Sequence, residues 1–244
     1  MAEPFRQILG IRFYTGNTEG LVHLASRGGL VVVPSGPVLA DLPGDAATRE
    51  ALTGSDLAIM DSGFLILLWR LFRREWLPRI SGLKFLRALV VDAAFRQPGA
   101  AFWIMPSVDD AEANRRWLYA QGIAVRPEDT YLAPWYPSGR LRDEILLGQI
   151  ESRKPQFVVI NLAGGVQERL GYFLRNGLSY RPAIICTGAA IAFLSRRQAN
   201  IPPWADRLIL GWLLRILGNP VKFIPRYWKA LRLVPLLLRS LGKT

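Results

Sequence analysis

Asp61 closes the apolar run Leu57-Ala58-Ile59-Met60 and is followed by Ser62-Gly63 and then Phe64 to Trp69, with no base before Arg70. Burial among apolar neighbours disfavours the ionised form of a carboxylate, and a carboxylate tuned in this way suits a general base. Asp after a strand is also a common helix N-cap, and the local pattern leaves both uses open. Asn161-Leu162-Ala163-Gly164-Gly165-Val166-Gln167-Glu168-Arg169 is a second strand-turn-helix junction. Its glycines let a ligand approach the backbone, and the helix N-terminus that follows favours an anion. It lacks the Lys-Ser/Thr of a Walker loop and the G-x-G-x-x-G spacing of a dinucleotide loop, so a plain tight turn is the competing reading. Thr187-Gly188-Ala189-Ala190 repeats the device after the next apolar run, and two such junctions would line one crevice for a phosphate or sugar.

Other chemistries are excluded by composition. Cys186 and His23 are the only residues of their types, so neither a disulfide framework nor a thiolate or imidazole zinc cluster is available. Cys186 reads as an apolar filler, His23 as a surface or packing residue of a helix, and Asp109-Asp110 as a helix start. Apolar residues make up 50% of the 244 and charged residues 20%, which excludes a disordered chain. The longest charge-free run, Pro182 to Ser195, is 14 residues, short of the roughly 20 that a membrane span needs. Met1-Ala2-Glu3-Pro4 has no signal-peptide core, so a cytoplasmic location is expected, free or attached to the inner membrane face.

The net charge of +12 is concentrated at one end. Residues 201–244 hold eight bases and Asp206 as the sole acid, among many Leu, Ile and Trp. On a helical wheel Lys222, Arg226, Lys229, Arg232, Arg239 and Lys243 share a sector of about 140°. This is the composition of a helix lying on an anionic membrane. A core-packing helix with a solvated face gives the same wheel, and nucleic acid is a rival partner disfavoured by runs such as Leu236-Leu237-Leu238.

These residues need elements to position them. Gly29–Val33, Leu57–Met60, Ala88–Val91, Ala101–Met105, Phe157–Leu162 and Ala183–Cys186 are short, nearly continuous apolar runs, the pattern of buried parallel strands. Helices are predicted over 110–121, 141–153 and 167–176. The alternation predicts an α/β fold with a doubly wound, mostly parallel, Rossmann-like sheet, whose ligands bind beyond the carboxyl ends of the strands. A composition shift at Pro202-Pro203 divides an α/β core, 1–200, from a basic helical appendage, 201–244. The apolar stretch Phe64 to Trp69 serves a core or an interface between copies, so a homo-oligomer is possible.

The order of motifs resembles the WecG/TagA/CpsF glycosyltransferases, glycosyltransferase family 26. The family's strand into Thr-Pro-Asn is similar to Val31-Val32-Val33-Pro34-Ser35, and its helix and strand ending in Asp-Gly to Ala46–Leu52 and Leu57–Asp61. Its Arg-x-Ser-Gly matches Arg79-Ile80-Ser81-Gly82, and its Gly-x-Pro-Lys-Gln-Glu resembles Ala163 to Glu168. Its Gly-Gly-Ala-Phe-Asp-Phe-Leu-x-Gly segment resembles Gly188 to Arg196. The closing elements resemble Arg197, Pro202-Pro203-Trp204, Gly211 to Arg215, Pro220 and Arg226-Tyr227.

The resemblance implies inverting transfer of a hexose or N-acetylhexosamine from a UDP-sugar to a polyprenyl-diphosphate-linked saccharide, without a metal or other cofactor. The reaction would belong to exopolysaccharide or other cell-surface polysaccharide synthesis. Asp61 would be the general base. Ser35, Arg79, Gly164, Gly165, Gln167, Glu168, Thr187, Gly188, Arg197, Arg215 and Arg226 would bind substrate, the arginines holding diphosphate. The implied partners are these two substrates and an anionic membrane surface, not nucleic acid. Several family positions differ: Val33, Ser35, Ser62, Gly165-Val166, Ala192, Gly211, and Pro106-Ser107 in place of a Gly-Gly turn. The alternative they leave open is a catalytically impaired member that binds or scaffolds at the membrane.

Overall fold

The structure, a computed structural model, describes residues 4–188, 190–195 and 220–242. The chain runs β1 (Phe5–Ile8), β2 (Ile11–Tyr14), α1 (Thr18–Ser26), β3 (Gly29–Val32), α2 (Gly36–Ala40), α3 (Ala46–Thr53), β4 (Leu57–Ile59), α4 (Gly63–Arg73) and α5 (Gly82–Leu89). It continues through β5 (Ala101–Met105), α6 (Val108–Ala120), β6 (Thr130–Leu132), α7 (Glu144–Arg153), β7 (Phe157–Ile160), α8 (Val166–Gly177), β8 (Ala183–Cys186) and α9 (Ala190–Leu194). Two further helices follow, α10 (Pro220–Ala230) and α11 (Leu233–Leu241).

The strands form an eight-stranded sheet in the order β1-β2-β4-β3-β8-β7-β5-β6, parallel except for the β1–β2 hairpin. The mostly parallel α/β sheet agrees with the Rossmann-like expectation. Its central strands are apolar throughout because both faces are covered. Val32, Ala58, Ile160 and Cys186 face one layer, with α2, α3, α4, α7 and α8. Val31, Ile59, Val159 and Ile185 face the other, with α1, α5, α6 and α9.

Helix caps agree with local chemistry. Ser107 caps α6 by accepting from Asp110 N–H at 3.2 Å, and Asp109 and Asp110 occupy the first turn, as expected of a helix start. Asp143 caps α7, so that helix begins at Glu144 rather than at Leu141.

The sequence reading requires one correction: Ala88–Val91 is not a strand. Ala88-Leu89 is the last turn of α5, whose Phe85, Leu86 and Leu89 are buried at helical spacing; Val90 is its C-cap and Val91 is 68% exposed. Four apolar residues in a row fit either state, and the amphipathic pattern upstream decided it. β1, β2 and β6 were not predicted. The β1–β2 hairpin turns at Leu9-Gly10, both in the left-handed region, its short strands interrupted by Arg6, Gln7 and Arg12, and sits at the sheet edge.

The C-terminal helices are built into the molecule. Leu233 and Leu237 are fully buried in the same apolar cluster as Val32 and Ile160. α10 and α11 pack on α2, and α11 also on α4. Among the described residues no helix is long and apolar enough to cross a membrane.

Candidate active site

Strand register brings the candidate residues to one edge. Ala58, Val32, Cys186 and Ile160 stand in one row across β4, β3, β8 and β7. Asp61 and Ser35 each lie three residues beyond that row, Thr187 and Gly188 one and two beyond, and Gly164-Gly165 four and five beyond. All are on the carboxyl side, where a parallel sheet opens to ligands.

Asp61 is not the helix cap. Ser62 caps α4, its Oγ accepting from Leu65 N–H at 3.2 Å, which leaves the Asp61 carboxylate to the edge, its side chain 31% exposed. Arg79 lies against it: Nε donates to the Asp61 carbonyl at 2.9 Å and Nη2 to Oδ1 at 3.4 Å. The segment carrying Arg79 is fastened to β4, since Ile80 N–H donates to the Met60 carbonyl at 3.1 Å, and it leads into α5, capped by Ser81.

Ser35 sits at the N-cap of α2 but makes no capping bond with its side chain. Its Oγ is buried without a hydrogen-bond partner among the described residues, and so is Thr187 Oγ1 on a residue 6% exposed. Buried hydroxyls are nearly always bonded, so these two orphans on one sheet edge stand out, as does Asn161 Oδ1 at the end of β7. The edge is crowded: a Cβ on Gly164 would lie 2.6 Å from Val38 Cγ2 and 4.0 Å from Ser35 Oγ. A Cβ on Gly36 would lie 3.1 Å from Ser62 Oγ and 3.9 Å from Ala230 Cβ, so the end of α10 adjoins the same edge.

The two glycine junctions are locked to each other rather than left open. Gly165, at φ +89°, is the N-cap of α8, and its N–H donates to Glu168 Oε2 at 2.6 Å. Gln167 Nε2 donates to Glu168 Oε1 at 3.0 Å, and Gly188 N–H donates to Gln167 Oε1 at 2.7 Å. Gln167 is 3% exposed and Glu168 is wholly buried; burial drives the Glu168 carboxyl above its usual pKa against these hydrogen bonds. The N–H groups of Gly165 and Gly188 are thus both donated to α8 side chains. Gln167 and Glu168 thereby join the two loops. Cys186 is a buried filler as expected, its thiol bonded to the Gln167 carbonyl at 3.3 Å.

Two supports were missed in the sequence. Thr48 Oγ1 lies 3.4 Å from the Gly165 carbonyl while its own N–H and hydroxyl donate to Asp45, the cap of α3. Arg169 Nε donates to the Gly165 carbonyl at 3.1 Å and Nη1 to the carbonyls of Pro137 and Gly139, tying that loop to the 133–142 connection. Asp45-x-x-Thr48 was legible as a cap, but not its partner 117 residues away. Arg197 and Arg215 lie outside the described residues; of Arg226 only the backbone, within α10, is described.

No curated protein matches the chain. The sequence profile described as the glycosyl transferase WecG/TagA/CpsF family matches residues 6–244, nearly the whole length and including both C-terminal helices. On that match, with a mostly parallel α/β sheet presenting Asp61 at its ligand edge, the chain belongs to the WecG/TagA/CpsF family of glycosyltransferases.

Proposed function

We propose that this glycosyltransferase moves a sugar, with inversion and without a metal, from a UDP-sugar to a polyprenyl-diphosphate-linked saccharide at the inner membrane face, in cell-surface polysaccharide synthesis. The observation that carries the reading is the carboxylate of Asp61 standing on the same carboxyl edge of the sheet as two orphan hydroxyls, Ser35 and Thr187, in a chain of this family. In a single displacement the acceptor oxygen attacks the anomeric carbon as Asp61 takes its proton. The bond from that carbon to the diphosphate oxygen breaks, and its electron pair leaves with UDP. Ser35 and Thr187 bond the donor. Arg79 steadies the charge that develops on the diphosphate, a role suited to a guanidinium already oriented by the Asp61 carbonyl. Gln167 and Glu168 position the glycine loops. Arg197, Arg215 and Arg226 hold the lipid diphosphate. The basic region beyond residue 200 forms the membrane-facing unit; the apolar residues Val221, Ile224, Trp228 and Leu231 of α10 and its end, exposed at i, i+3, i+7 and i+10, support this.

The test is a panel of UDP-sugars, with and without polyprenyl-diphosphate saccharides, comparing wild type with Asp61→Asn. Turnover falling by roughly 10²–10⁴ with donor binding retained is expected. Equal rates remove Asp61 as the base. Nucleotide binding by the wild type without turnover on any acceptor favours the scaffolding alternative, and no UDP-sugar binding overturns the reading.

A further inference from the structure

α4 turns its apolar residues in two directions. Leu65, Ile66, Leu68 and Trp69 are buried against the sheet. Leu67 and Leu71, one turn apart, point outward at 47% and 69% exposure, and Trp76 just beyond the helix is 59% exposed. Arg70, Arg73 and Arg74 are exposed beside them, and the Arg70 guanidinium stands 3.9 Å over the Trp76 ring. No acid occurs between Asp61 and Glu75, and the Glu75 carboxylate is engaged by Arg6 and by Trp69 Nε1. The neighbouring α11, which packs on α4, exposes Leu238 and Arg239.

We infer that α4 is a membrane-docking element that lays Leu67, Leu71 and Trp76 into the interface of an anionic bilayer, with Arg70, Arg73 and Arg74 on the lipid phosphates. The inference rests on the reading of a lipid-linked acceptor and extends the membrane contact from the C-terminal helices to a helix of the sheet layer. Outward leucines beside guanidiniums, with no free acid, fit an apolar layer under anionic headgroups. A second copy docked on the same patch would set arginine against arginine. Nucleic acid would leave the leucines in water. The docking also sets orientation: α4 begins two residues after Asp61, so a bilayer lying along this helix runs toward the sheet edge that carries Asp61.

Cys186 is the only cysteine and is fully buried, so a single introduced thiol can be labelled in the whole chain. A polarity-sensitive fluorophore is placed at Leu71→Cys, at Ile224→Cys on α10, and at Tyr119→Cys on α6, on the opposite face of the sheet. Vesicles of phosphatidylglycerol and phosphatidylcholine are compared with pure phosphatidylcholine. A blue shift and a several-fold intensity gain at positions 71 and 224, on anionic vesicles only and with position 119 unchanged, is the expected result. A label at 71 that stays in water while 224 reports lipid overturns docking by α4 and leaves the C-terminal contact standing. Silence at both removes membrane docking by this face, while glycosyl transfer stays with the UDP-sugar assay. A shift at 119 as well means unspecific adsorption and overturns the inference. Unlabelled Arg70→Gln/Arg73→Gln, expected to co-sediment with anionic vesicles about thirtyfold less tightly, checks the electrostatic half; unchanged binding overturns that half.

Discussion

Thr187 sets the residue scale, because its hydroxyl is buried with no partner among the described residues. A hydroxyl kept dry and unbonded costs stability, commonly about 1–3 kcal/mol. Thr187→Val removes the hydroxyl and keeps the shape. The variant is expected to be at least as stable as wild type in urea unfolding, while its KM for the donor rises about tenfold, the worth of one lost hydrogen bond. A variant less stable with an unchanged KM would show that the hydroxyl serves the fold. Glu168 makes the complementary case. Burial raises its pKa, so ionising it costs the folded state, and stability attached to its proton is lost as pH rises from the unfolded value of about 4.3 through the folded one. Glu168→Gln has no such proton. Whatever the offset from exchanging an acceptor for a donor, its stability relative to wild type should improve between pH 4.5 and 8, read by thermal melts. Of these residues, the edge position of Asp61 was legible because an apolar run ended on it. The orphan state of Ser35 and Thr187 was not, since it depends on what neighbouring strands fail to offer.

Elements carry these residues only if the strands hold register, and Asp56 does that at the opposite edge. Its carboxylate accepts from Leu30 N–H at 2.8 Å, from Arg175 of α8 at 2.7 and 3.2 Å, and from Arg181 before β8 at 2.8 Å, joining β3, β4, α8 and β8. Burial alone would raise its pKa, but the Arg175 and Leu30 bonds and the two guanidinium charges outweigh it and hold the carboxyl below its usual range. Stability from a depressed carboxylate is present above its unfolded value of about 3.9 and is lost as pH falls through the folded one. Asp56→Asn should therefore cost about 2 kcal/mol at pH 7, and the gap to wild type should close below about pH 4, measured by chemical unfolding. The central strands were legible because sandwiching between two helical layers makes every position apolar. The edge hairpin was not, because Arg6, Gln7 and Arg12 break its two four-residue strands into no continuous apolar run and no period of two. Ala88–Val91 misled because apolarity without periodicity does not separate a strand from a helix end.

At the scale of the whole molecule the question is whether the basic C-terminal region is a separate unit or part of one fold. Its charge and apolar content were plain from composition, and they suggested a unit added to an α/β core. Among the described residues, 220–242, the two helices are divided by face. Leu233 and Leu237 enter the sheet's apolar cluster, Ala230 closes on α2 beside Ser35, and Val221, Ile224 and Trp228 remain outside. An inward face of this kind couples the region to the site, since α2 carries Ser35 and α11 touches α4, which follows Asp61. Leu237→Ala distinguishes the two arrangements. Removing a fully buried leucine costs about 2–5 kcal/mol, depending on how far its surroundings collapse. If α11 belongs to the cooperative fold, the loss appears in the single unfolding transition of the sheet, followed by far-ultraviolet circular dichroism and tryptophan emission together, and donor affinity falls as α2 loosens. If the region is independent, a separate early transition appears and the main one keeps its midpoint. The burial of Leu233 and Leu237 predicts the first outcome, with α11 in the same folding unit as the strand that leads into Asp61.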